Sequence, residues 1–139
     1  MDTDVIKAKL VSLQRCMQRI RTKTPGSAQE LAADFDLQDI LVLNLQRAVQ
    51  ISTDIATTIL AESASVPPTM AEAFLLLHRQ GVLSENVARK MAKSVGLRNI
   101  AVHEYTSLDW NVVYAVAHTH IDDFADFGRE ISAWVVARA

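Results

Sequence analysis

The sequence predicts an all-α protein, and three observations carry that prediction. Glycine and proline are scarce, at four and three in 139 residues. Ala, Leu and Val are the commonest residues instead, and the scarcity of chain breakers favours helices over a turn-rich sheet architecture. Apolar side chains also recur at spacings of three and four over most of the chain. Half of the residues are hydrophobic, enough for one domain, residues 1–139, to bury a core by itself. The expected architecture is an up-and-down bundle of four long helices plus one or two short ones.

The first helix is expected near residues 4–23, where Ile6, Leu10, Leu13, Met17 and Ile20 paint one stripe. It ends before Pro25-Gly26. Ser27 with Glu30 matches a capping box, so a short second helix follows through Leu31 and Ala32. The third segment, about Leu37 to Glu62, is apolar on more than one side and reads as the central helix. Its polar insertions Asp39, Asn44, Gln46 and Arg47 are either paired structurally or reach into a cleft. Val66-Pro67-Pro68 breaks the chain, and Thr69 with Glu72 caps the next helix, which Gly81 stops. Ser84 caps a fifth helix whose inner face is Val87, Met91 and Val95. Asp109 caps the last helix, where Trp110, Val113, Ala117, Ile121, Phe124, Ile131 and Trp134 recur.

The chemistry is concentrated in Arg98-Asn99-Ile100-Ala101-Val102-His103-Glu104-Tyr105, on or at the end of the fifth helix. A guanidinium matches phosphate oxygens with a planar fork of donors and stays charged, while an imidazole changes protonation near neutral pH. Together they suit work on a phosphodiester. On an ideal helix the five-residue offset places His103 roughly 140° around from Arg98 and about 7.5 Å along the axis. Asn99 and His103 share a face, as do Arg98 and Tyr105. A symmetric dimer with its cleft on the twofold axis would bring Arg98 and His103 to one phosphate.

Net charge is −2, which argues against coating nucleic acid by bulk electrostatics. Six of the fourteen basic residues nevertheless fall in the first 23 positions (Lys7, Lys9, Arg15, Arg19, Arg21, Lys23). Arg89, Lys90, Lys93 and Arg98 lead into the motif, and Lys90 and Lys93 are candidate RNA-phosphate contacts. The lone Cys16 forms no intrachain disulfide, no run is apolar enough for a membrane span, and the early charges do not suit a secretory signal. A cytoplasmic protein is expected. His118 with Asp122 and His120 with Asp123 have metal-ligand spacing, yet the pairs point in different directions and no third ligand is apparent, so no metal is assigned.

The Arg98-x4-His103 motif with Asn99 behind the arginine resembles the HEPN superfamily of small helical proteins. Arg98-x4-His103-x-Tyr105, preceded by Gly96-Leu97, resembles its HepT-type toxin subgroup more narrowly. Most of the chain fits, including the polar Gln38-Asp39 and Asn44-Leu45-Gln46-Arg47 region and the long last helix. The resemblance implies a HEPN-like fold and a homodimeric, metal-independent endoribonuclease with no cofactor. Its toxic activity would fall on RNA, with tRNA the leading substrate. Arg98 and His103 would be catalytic, Asn99 supporting, and Asp39 and Asn44 candidate cleft residues. It also implies an antitoxin partner, a minimal nucleotidyltransferase of the MntA type, that transfers AMP to Tyr105. The rival reading is a non-catalytic nucleotide- or protein-binding module associated with a nucleotidyltransferase.

Overall fold

The computed structural model describes residues 3–103 and 108–138, with residues 97–103 described by backbone alone. No strand occurs among the described residues, and no helix there is long and apolar enough to cross a membrane. Four long helical runs make the bundle. They are α1 (Thr3–Lys23), α3 (Phe35–Glu62), α5 (Glu85–His103) and a last run formed by α6 (Trp110–Ala115), a π-helical turn (Val116–His120) and α7 (Ile121–Arg138). The short α2 (Ala28–Ala32) and α4 (Met70–Arg79) lie in the connections.

Polar contacts between the long helices fix their directions. Lys9 on α1 meets Asp54 on α3 at 3.8 Å, and Arg21 on α1 meets Asp122 on α7 at 3.4 Å. Lys90 on α5 meets Asp123 on α7 at 3.7 Å, while Ser84 before α5 meets Glu130 further along α7. Chain order therefore reverses from each long helix to the next. α1 packs on α3 and α7, and α5 packs on the same two helices, which closes a four-sided bundle with up-and-down topology.

The boundaries have local chemical causes. Ser27 Oγ accepts from the Glu30 amide at 3.2 Å, and the Glu30 carboxylate reaches back to the amide of Gly26 rather than Ser27. The Asp34 carboxylate accepts from the Leu37 amide at 3.1 Å, so α3 starts at Phe35, two residues earlier than its apolar pattern indicates. Thr69 caps α4 through the Glu72 amide, and Gly81, at φ +78°, turns the chain out of that helix. Asp109 caps α6 through the Asn111 amide.

The core runs along the inner faces that the sequence periodicity marks. Ile6, Leu13, Met17 and Ile20 of α1 are buried against Leu41, Leu45, Ala48, Val49, Ile55 and Ile59 of α3 in one cluster. Phe74 of α4 meets Phe127 of α7 edge to face, with ring centroids 5.7 Å apart. Polar residues buried in α3 are satisfied within the chain. Asn44, Ser52 and Thr53 each donate to the carbonyl four residues back, while the Gln38 amide donates to the Leu31 and Ala32 carbonyls and so ties α2 to α3. Cys16 is buried in the same core; burial pushes its thiol pKa up, and the nearby Arg47 charge offsets part of that rise.

The last run departs from the single α-helix that its sequence pattern predicts. Val113, Ala117 and Ile121 are all buried at strict four-residue intervals. The same spacing stays buried on regular α-helix in α5, at Val87, Met91 and Val95. The distinguishing feature of the last run is the wider π turn at Val116–His120, which spacing alone does not mark.

Candidate functional site

Helix α5 is anchored firmly at its start. The Glu130 carboxylate accepts from the Ser84 amide at 2.7 Å and from the Ser84 hydroxyl at 2.9 Å, while Ser84 Oγ accepts from the Val87 amide. An anion at a helix N-terminus is also favoured by the helix dipole. Val87, Ala88, Met91 and Val95 are then buried along one face. Beyond Val95 the apolar periodicity gives way to Gly96-Leu97-Arg98-Asn99.

The backbone stays helical through His103. Arg98, Asn99 and His103 thus ride on one element, with Asn99 and His103 in one axial column and Arg98 roughly 140° away from His103. Within one subunit that register separates the arginine from the histidine. The side chains of Arg98, Asn99 and His103 lie outside the described residues, as does Tyr105 altogether.

The bundle's directions place the end of α5 together with the end of α1 and the start of α3. That end carries Arg19, Arg21 and Lys23 on one side and Asp34, Asp36 and Asp39 on the other. Asp39 is exposed beside Val42, Leu43 and Gln46 in a shallow depression of about 340 Å³. Asn44 is 7% exposed, and its Nδ2 donates to the Ile40 carbonyl of its own helix at 2.8 Å. That bond gives it a structural use. A groove of about 700 Å³ between α1 and α7 holds Arg21 and Arg129 already paired with Asp122 and Asp126.

Lys90 and Lys93 line a cavity of about 290 Å³ together with Ser94, Val116, His120, Asp123 and Phe124. The sequence marks His120 and Asp123 only as a metal-spaced pair, and nothing in it joins them to α5. In the structure Asp123 sits between Lys90 and His120, 3.7 Å from Lys90 Nζ and 3.6 Å from His120 Nδ1. His118 instead stacks on Tyr114. Among the described residues no three metal-binding groups come together.

An all-α four-helix bundle with an Arg-x4-His helix is the class that these features define. The ribonuclease HepT-like family model matches residues 13–131. Over 131 residues the chain is 35% identical to the mRNA nuclease HepT of Shewanella oneidensis, covering 94% of this chain and 98% of that one. It is 28% identical to the tRNA nuclease HepT of Aphanizomenon flos-aquae over 95% of this chain and 90% of that one. A solved structure of the tri-AMPylated Shewanella oneidensis HEPN toxin in complex with an MNT antitoxin superposes with a TM-score of 0.86 at 35% identity, covering 96% of this chain and 99% of that one. The chain belongs to the HepT-like ribonuclease family.

Proposed function

We propose that this ribonuclease is the toxin of a toxin–antitoxin pair, a metal-independent endoribonuclease whose site is completed by a second copy of the chain. The single observation that carries the dimer reading is the unbroken helix through His103. It holds Arg98 and His103 on different faces, and a twofold partner supplies the complementary groups. Phe35, at the start of α3 and 79% exposed, and Leu43, 45% exposed, lie toward the same end and would be covered by that partner.

In the cleft a ribose 2′-hydroxyl attacks the adjacent phosphorus and the 5′-oxygen leaves. His103 takes or returns the proton. Arg98 stabilises the charge that builds on the phosphoryl oxygens, and Asn99, one turn before His103, orients it. Lys90 and Lys93 contact flanking phosphates, and Asp39 sits at the rim. RNA is the substrate. The resemblance points to tRNA, and the two relatives are named for mRNA and for tRNA, so both belong in the assay.

The AMPylated state of the Shewanella oneidensis toxin supports a nucleotidyltransferase antitoxin acting on Tyr105, two residues after His103. AMP adds bulk and negative charge beside the cationic motif and competes with RNA phosphate. The reaction takes place in the cytoplasm. Purified protein is expected to cut total RNA equally with and without EDTA, and His103→Ala is expected to abolish cutting; cleavage that stops on chelation would overturn the reading. With antitoxin and ATP, mass spectrometry should find AMP on the wild type and none on Tyr105→Phe.

A further inference from the structure

The cavity between α5 and the π turn has features that the catalytic motif does not account for. Lys93 makes no ion pair or hydrogen bond among the described residues, although it borders a cavity of about 290 Å³. Lys90 and His120 are both held by Asp123, whose side chain is only 15% exposed. Two lysines against one carboxylate leave the cavity positive even with His120 neutral. His120 Nε2 has no partner among the described residues. Val116 adds partly exposed apolar lining, with the buried Phe124 beneath. The π turn, a feature frequent at functional sites, is the element that carries Val116 and His120.

Position adds the direction of the ligand. Ser94 lines the cavity and precedes Arg98 by one helical turn, and Lys90 precedes Arg98 by about 12 Å along the axis. One or two nucleotides of extended single strand cover such a span, and single-strand grooves combine cationic side chains with apolar surface for bases. We propose that this cavity is a nucleotide subsite that seats a nucleoside monophosphate unit of the RNA next to the cleaved linkage. Lys93, Lys90 and His120 hold its phosphate, Val116 offers apolar surface to its base, and Asp123 positions Lys90 and the His120 ring. The inference rests on the ribonuclease reading for the identity of the strand.

The same chemistry has a second source, an AMP unit attached to Tyr105, and the test separates the two. Homodimeric Tyr105→Phe protein, which cannot carry the modification, is titrated with a short 2′-O-methyl oligonucleotide that cannot be cleaved while the His120 ring signals are followed by NMR. The expected result is a saturable shift of those signals. Lys93→Ala should weaken binding about tenfold and flatten its salt dependence by roughly one released ion, while Lys7→Ala at the opposite end of the bundle stays within about twofold. In cleavage, Lys93→Ala should raise KM and leave kcat unchanged. A ring shift seen only in AMPylated wild type without RNA would assign the cavity to the modification and overturn the proposal. Equal weakening by Lys7→Ala would reduce it to bulk charge and overturn it too. Binding to His120 by a protein that cuts no RNA would sink the nuclease reading and leave the subsite standing.

Discussion

The two ends of the bundle are built differently. At the end where α5 begins, polar groups are spent on holding helices together: Glu130 grips Ser84, Arg138 pairs with Glu62 at 2.9 Å, and Gln80 donates to the hydroxyls of Ser63 and Ser65. At the end where α5 finishes, Arg21 pairs with Asp122 and the Gln38 amide ties α2 to α3, but Phe35 stands exposed and α5 runs on into Arg98, Asn99 and His103. The difference teaches that contacts among the helices at one end can position the element that carries the family motif at the other.

If that division is right, substitutions at the two ends separate cleanly into losses of rate and losses of stability. The largest effect belongs to the motif. His103→Ala is expected to lower the cleavage rate about 10²–10⁴-fold and Arg98→Ala about 10²–10³-fold, with thermal unfolding of either variant unchanged. In the core, Phe127→Ala removes the ring packed on Phe74 and should cost about 3–5 kcal/mol in denaturant unfolding. The folded fraction of that variant should cut RNA at the wild-type rate.

Glu130→Ala sharpens the comparison further, because it releases the start of α5 far from the motif. A loss of about 1–2 kcal/mol is expected from the cap bonds, with KM unchanged; a selective loss of kcat would mean that the two ends are coupled. Cys16 gives the smallest effect. Its raised thiol pKa means that the unfolded chain loses this proton first, so the stability tied to the buried thiol is intact below the ordinary thiol range and is lost as pH rises through it. Iodoacetamide should accordingly label Cys16 slowly in native protein and fast once the bundle opens, which mass spectrometry reads directly.

Local chemistry was legible in the chain. The caps at Ser27, Thr69, Ser84 and Asp109 and the stripes of α1 and α5 follow from spacing alone, because each joins residues within one or two turns. Asp34 belongs to the same kind of signal and shifts the start of α3 from Leu37 to Phe35. For Asn44 spacing left a structural pairing and a cleft position open, and it did not reveal that the amide folds back on Ile40. The π turn was not legible, because Val113, Ala117 and Ile121 carry the same spacing of four as Val87, Met91 and Val95 on the regular helix α5. What the sequence hides are meetings across the bundle. Ser84 and Glu130 are 46 residues apart, and the Lys90, His120 and Asp123 group exists only because α5 and α7 run antiparallel. The family motif supplied the chemistry of Arg98 and His103, which periodicity alone could not assign.

Mixing subunits tests the shared cleft most directly. Arg98→Ala and His103→Ala proteins, each inactive as its own homodimer, are combined under conditions where tagged wild-type subunits exchange. Cleavage should reappear in the mixture, since each hybrid dimer keeps one arginine and one histidine on opposite subunits. A mixture as inert as its parents, with exchange demonstrated, would contradict a site built from two copies of this chain.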